Sequence, residues 1–228
     1  MTTADVNRTV IGIINEVERK LAINQSTSLA STNFTTTLLD FLNDVIDECN
    51  DYGNWPHMFN EVTVTASSSV EEFEIASSAP IKNIHEIHFH TDVSPLEVRT
   101  VEDIRRLQRT RSFGKPRQFA LVKVSGVNAK FRPSPIPSSA QDGQTFNIAV
   151  YEKNVLYTTA DLSAIPQYPS RVLVQGVYAK AILEESGQEQ TTQFKTAYEE
   201  YIRMRREALN RLTADTGTDV RFVPTGRY

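Results

Sequence analysis

The stretch Leu96–Phe119, LEVRTVEDIRRLQRTRSFGKPRQF, holds six arginines and one lysine around a short helix signal, and then runs into a Gly-Lys-Pro-Arg turn. Two readings of it are open. It is a basic patch that grips nucleic acid or phosphate, or it is a structural crossover between two halves of a mixed fold. Locally, Pro95–Arg99 suggests a short strand returning from a turn. Thr100 then caps a helix, with Asp103 three residues on in a capping-box-like arrangement, and Val101, Ile104 and Leu107 supply the apolar stripe. The helix is expected over residues 100–111. Gly114 ends the segment, and Pro116 forbids its continuing as helix. The phosphate-loop pattern GxxxxGK[ST] is absent, and Lys115 is followed by proline, so the Gly-Lys pair is not a nucleotide cradle.

Upstream, Val6, Val10, Ile13, Ile14, Val17 and Leu21 recur at helical spacing, which predicts a helix over 5–23 with Asp5 as its cap. A stronger helix is predicted over 32–52. Phe34, Leu38, Phe41, Leu42, Val45, Ile46 and Cys49 fall on one face, and Asp40, Asp44, Asp47 and Asp51 on the other, with Gly53 as the stop. The acidic face is ordinarily a solvated one. However, Asp47, Glu48 and Asp51 crowd the helix C-terminus, where the dipole disfavours negative charge. Arginines from elsewhere in the chain, or from a neighbouring subunit, would offset that.

After Trp55-Pro56-His57 the period changes to two. Val62 and Val64, then Phe73 and Ile75, alternate with polar residues, and Ser67–Val70 suits a hairpin turn between them. A third strand is expected over Ile81–His90. It contains His85, Glu86, His88 and His90, and ordinary strand histidines explain it better than a metal site, because no second ligand cluster completes a set.

Downstream of the basic stretch, 118–132 has strand character. The run Arg132–Gly143, RPSPIPSSAQDG, reads as a stiff, exposed hairpin tip. Strands are expected at 145–151 and 155–159, and 164–170 is a break. Helices follow over 171–185, stopped by Gly187, and over 189–213. On the last helix, Arg205 falls inside the stripe of Phe194, Tyr198, Tyr201, Ile202, Leu209 and Leu212, so it must be paired or stacked. Arg203, Arg205, Arg206 and Arg211 form the natural complement to the acidic helix. The last residues, ADTGTDVRFVPTGRY, are polar, but Phe222, Val223 and Tyr228 are poor solvent-facing residues, which suggests a docking tail.

The fold expected from this order is α+β. A helical bundle forms from residues 1–59 and 170–213, with an inserted antiparallel β section over 60–169 that contains one short helix, and an extended tail over 214–228. The net charge of −4, from 24 basic and 28 acidic residues, disfavours a free-standing DNA-binding protein. The nucleic-acid alternative would rest on the basic 99–117 stretch, Arg99, Arg105, Arg106, Arg109, Arg111, Lys115 and Arg117. Cys49 is the single cysteine, so there is no intrachain disulfide framework. No run approaches the roughly 20 apolar residues that a membrane span needs, and MTTADVNRTV lacks a leader pattern, so a soluble chain kept in cytoplasm-like conditions is expected. No Ser-His-Asp order stands out. Cys49 lies on an apolar face, and Glu71-Glu72 and Glu184-Glu185 are ordinary exposed pairs, so no catalytic residue and no cofactor is expected.

Taken in series, these pieces resemble the head-to-tail adaptor (connector) proteins of tailed bacteriophages, the tail tubular protein A-like group. The resemblance spans nearly the whole chain to about Leu212. It rests on the helix ending at Trp55, the Ile81–Phe89 strand, Leu96-Glu97-Val98, VEDIRRL at 101–107, GKPRQFA at 114–120, FRPSP at 131–135, Ile165-Pro166, and Tyr198-Glu199-Glu200. Thr91-Asp92 and the 138–143 loop depart from it. What the resemblance implies is a virion protein of the head–tail junction, made in the host bacterial cytoplasm. It would form a homo-oligomeric ring, commonly of twelve copies, between the portal and the next tail or nozzle component, with genomic DNA passing transiently through. It further implies portal docking by Arg221, Phe222, Val223 and Tyr228. Subunit contacts would fall at Asp40, Asp44, Asp47, Arg105, Arg106, Arg203 and Arg206, and a tail-facing or lumen loop at Arg132, Pro133, Pro135, Gln141 and Asp142.

Overall fold

A computed structural model describes residues 7–110, 112–187 and 191–216. The chain is α+β, and its contacts divide it into two units, Met1–His57 with Leu156–Tyr228, and Met58–Val155.

The first unit contains α1 (Val10–Lys20), α2 (Asn33–Tyr52), α4 (Ser170–Ser186) and α5 (Thr192–Thr216). Asp5 lies outside the described residues. The cap of α1 is Thr9, whose hydroxyl accepts the Gly12 N–H at 3.2 Å, so the helix begins later than its apolar spacing suggested. Thr32 caps α2 by accepting from the Thr35 N–H at 3.0 Å. Leu38, Leu42, Val45, Ile46 and Cys49 are all fully buried, as the periodicity required. The helix at the centre is α4, which packs against α1, α2 and α5. Every residue from Val172 to Val177 is buried, the pattern of a helix apolar nearly all round. It stops at Gly187, whose left-handed backbone (φ 60°) lets its N–H reach the Leu183 carbonyl.

The second unit contains β1 (Phe59–Thr65), β2 (Phe73–Ala76), β3 (Ile81–Phe89), β4 (Glu97–Val98), α3 (Val101–Arg109), β5 (Gln118–Ser125), β6 (Asn128–Ser134) and β7 (Thr145–Glu152). One sheet has the order β1-β7-β3 and the other β2-β6-β5-β4. All pairs are antiparallel except β4 with β5. Both sheets contribute to one core, in which the Phe131 ring lies 5.6 Å from Phe73 and 5.0 Å from Phe146.

The strand pairing corrects several expectations. β1 and β2 are not a hairpin. β1 pairs with β7 and β2 with β6, so Ser67–Val70 carries the chain from one sheet to the other. Both strands have the alternation for a shared core, and that pattern does not say which neighbour each takes. The run 118–132 is two strands, turned at Gly126, whose φ of 59° suits a two-residue hairpin. β3 ends at Phe89, because His90 takes a left-handed φ of 54°. The proline-rich run is not an exposed tip. Pro133, Ser134, Ile136 and Pro137 are buried, and only its Ser139–Gly143 end reaches solvent. The reason is backbone pairing: Gly114 and Ile136 bond at 2.9 Å, Ile136 and Ser112 at 2.9 Å, and Arg117 and Ser134 at 3.0 Å. Ser134–Pro135 is cis. Finally, 155–159 forms no strand. The Asn43 side chain holds the Tyr157 N–H and carbonyl, each at 2.8 Å, which fixes this segment to α2, and the contacts group the chain from Leu156 with the helical unit.

Candidate interaction surfaces

The basic stretch is a crossover. Leu96 donates to the Ile87 carbonyl at 2.7 Å, β4 adds to β5, and α3 follows. Thr100 caps α3 by accepting from the Asp103 N–H at 3.1 Å. Ile104 is fully buried, but Leu107 is 43% exposed, and Gln108 takes the second inward position, 7% exposed. The Gln108 amide donates to the Glu71 and Pro133 carbonyls at 3.3 and 3.1 Å, so a polar residue anchors the helix where the apolar reading placed leucine. Its Oε1 is buried with no partner. Arg105, Arg106 and Arg109 are exposed. Arg105, Gln108, Arg109, Arg132 and Glu71 line a cleft of about 300 Å³. Arg132 is held by Glu72 at 3.1 Å, with Lys130 3.7 Å away from the same carboxylate. Elsewhere in the stretch, Arg99 pairs with Glu97 at 2.7 Å and Lys115 with Asp92 at 2.5 Å.

On α2, the acidic face divides. Asp40 is exposed, and Asp47, also exposed, accepts from Asn50 at 3.4 Å. Asp44 lies 3.7 Å from Lys180. Charge at the C-terminal end is answered from inside the unit. Glu48 meets Lys180 at 2.8 Å and Arg205 at 3.7 Å, and accepts from the Tyr201 hydroxyl at 3.0 Å. Arg205 also donates to the Tyr201 hydroxyl at 3.2 Å and stacks 4.1 Å above the Tyr52 ring, the pairing and stacking its place in the stripe demanded. Burial raises the Tyr201 phenol and pushes the neighbouring Cys49 thiol up to about 12, so this cysteine stays a neutral packing group. Arg203 turns to Glu207 and Glu200 on its own helix, at 3.1 and 3.9 Å, and Arg206 is exposed; neither fulfils the expected role of complementing α2 within the chain. Tyr198 departs from the apolar stripe, being 42% exposed. The sequence reading expected arginines to answer Glu48 and missed Lys180 as its partner. The signal was Lys180 itself, a lone cation inside the apolar run VLVQGVYAKAIL.

The remaining expected positions are scattered. Pro133 is buried and Pro135 half-buried. Gln141 closes a one-turn helix by accepting from Ser138, and Asp142 accepts from the Ser68 hydroxyl at 3.0 Å. His88 sits 3.2 Å from both the Glu86 carboxylate and the Asp92 carbonyl. Among the described residues no three His, Cys, Asp or Glu side chains converge as a metal set. Arg221, Phe222, Val223 and Tyr228 lie outside the described residues.

The family model described as SU10 adaptor protein matches residues 8–224. The chain belongs to this family. The SU10 adaptor proteins are head-to-tail adaptors of phages, so the chain is a structural virion component that works between portal and tail proteins. No curated protein matches it. Among the described residues of this adaptor no helix is long and apolar enough to cross a membrane.

Proposed function

We propose that this adaptor assembles as a ring of twelve copies beneath the portal, carries the next tail or nozzle protein, passes the genome through its lumen, and does no catalysis. The observation behind the proposal is the family match over 8–224, read together with two opposite-charge surfaces on separate elements, α2 and α3. Complementary patches at different places on one chain give head-to-tail contacts, which close into rings when the rotation permits. The negative balance suits a conduit. Twelve copies at −4 each give about −48, and a lumen that made many phosphate contacts would retard DNA. The helical bundle formed by α1, α2, α4 and α5 would supply the ring scaffold, made in the host cytoplasm. Asp40, Asp44, Asp47, Arg105, Arg106, Arg203 and Arg206 would lie at subunit contacts. The tail from residue 214, with Arg221, Phe222, Val223 and Tyr228, would dock on the portal. The exposed end of the proline-rich run, with Gln141 and Asp142, would face the lumen or the tail. Mass measurement of the chain mixed with its portal tests this: a discrete multiple bound to the portal ring is expected. A chain that stays monomeric in every mixture refutes it, and a truncation at residue 214 that still docks normally refutes the tail assignment.

A further inference from the structure

The cleft beside α3 presents positive charge that its own surroundings leave unmet. Arg105, Arg106 and Arg109 make no ion pair with a described residue, whereas Arg99, Lys115, Lys130 and Arg132, nearby in the same unit, each have a carboxylate partner. Arg105 and Arg109 line the recess and stand one helical turn apart, about 6 Å along the axis. Glu71 also lines it, its backbone carbonyl accepting from Gln108, and the Glu72 carboxylate is bonded to Arg132. Negative charge at Glu72 disfavours a phosphodiester backbone, which would bring a continuous line of negative charge past it, and the chain as a whole is acidic. Two isolated carboxylates entering beside the guanidinium groups bring two charges rather than a continuous line of them. The same chain offers a matched donor of such carboxylates. Asp40 and Asp44 are exposed on α2 with the same four-residue spacing, hence the same pitch of about 6 Å.

We infer that the α3 cleft is a helix-docking site: Arg105 and Arg109 of one copy receive Asp40 and Asp44 of α2 from the next copy. This rests on the ring reading above and narrows it to one contact. Acceptor and donor sit on different elements, so the contact is heterologous and each copy uses both halves once. Asp44 is only loosely held, 3.7 Å from Lys180, and is available to exchange partners.

The test is a charge swap on the full-length chain. One variant carries Arg105→Glu and Arg109→Glu, the other Asp40→Arg and Asp44→Arg. Each is checked for folding by circular dichroism and for assembly by mass photometry, alone and with portal rings. Each variant alone should lose assembly about tenfold or more, because like charges then face one another at every contact. An equimolar mixture should restore it, because alternating copies recover opposite charges, and pairing within a chain would not respond to mixing. Wild type assembling while the two folded variants assemble equally well alone, or fail when mixed, overturns this contact and leaves the ring reading standing. A wild type that never assembles with its portal overturns both. Unchanged assembly with loss of salt-dependent retention on duplex DNA in the arginine variant overturns it in favour of phosphate binding.

Discussion

Gly176 stands at the middle of the central helix α4, and its replacement by alanine sets two magnitudes against each other. Alanine in a helix interior is favoured over glycine by about 1 kcal/mol, and burying one more methyl adds about 0.8 kcal/mol. The new Cβ, however, would lie 2.8 and 2.9 Å from the two Val45 methyls and 2.9 Å from Tyr201 Cε2. Carbon atoms prefer roughly 3.5–4.0 Å, so three contacts would be overlapped at once. Neither neighbour has room to yield. Val45 is fully buried and β-branched, and Tyr201 is 1% exposed, with its hydroxyl held by Glu48. Overpacking of this kind costs about 1–3 kcal/mol, and three simultaneous overlaps belong at or beyond its upper end. Gly176→Ala is therefore expected to destabilise the fold by about 1 kcal/mol net. Urea unfolding followed by the helical signal reads this as a lower midpoint at unchanged slope. Val45→Ala removes two of the three offending atoms, so the double variant should cost less than the two single changes combined, by about 1–2 kcal/mol. If Gly176→Ala is as stable as wild type, helix propensity outweighs the contacts and the reasoning fails.

Other expectations follow from single sites. His57 packs on Tyr168 with ring centres 4.8 Å apart, and burial lowers its pKa from 6.5 to about 4. The unfolded chain takes up that proton first, so its contribution is complete above about pH 6.5 and shrinks as pH falls, reaching a loss of about 3 kcal/mol near pH 4. Urea midpoints measured from pH 7 down to 4.5 should fall more steeply for wild type than for His57→Phe, and parallel slopes would contradict this. Arg205→Ala removes a charged hydrogen bond and a ring stack and should cost about 3 kcal/mol in the same assay; Arg205→Lys, which cannot lie flat on Tyr52, should recover only part of it. Thr100→Ala should cost about 1 kcal/mol and speed amide exchange at Asp103, whereas unchanged exchange would mean that the cap is not formed in solution.

The helices were legible because a 3.6-residue period and a capping hydroxyl are local properties. The Thr100 cap and the Gly187 stop needed nothing from the rest of the chain. Arg205 was legible too, since a charge inside an apolar stripe has to find partners. What was hidden depends on distant residues. Gly53 ends α2, but not by adopting a left-handed turn, since its φ of −167° is extended. Its lack of a side chain matters because a Cβ would fall 2.6 Å from a methyl of Leu209, far along the chain on α5. Likewise β1 carries the right alternation for a strand, yet its partner is β7, and no local turn announces that. The proline-rich run looked exposed because proline and serine favour loops, and its backbone bonds to 112–117 could not be read from composition. Of the interaction surfaces, the charges were visible and their allocation was not: Glu48 and Lys180 are spent inside the helical unit, and Arg105 and Arg109 are left facing outward.

The β unit enters and leaves on one ladder. Phe59, at its start, is paired directly with Tyr151, near its end, on neighbouring antiparallel strands. Paired residues on such strands stand only about 5 Å apart, the span of a tight turn. The whole of Met58–Val155 is thus an insertion whose two ends almost meet, the circumstance in which chains accept, lose or exchange a domain without disturbing the host.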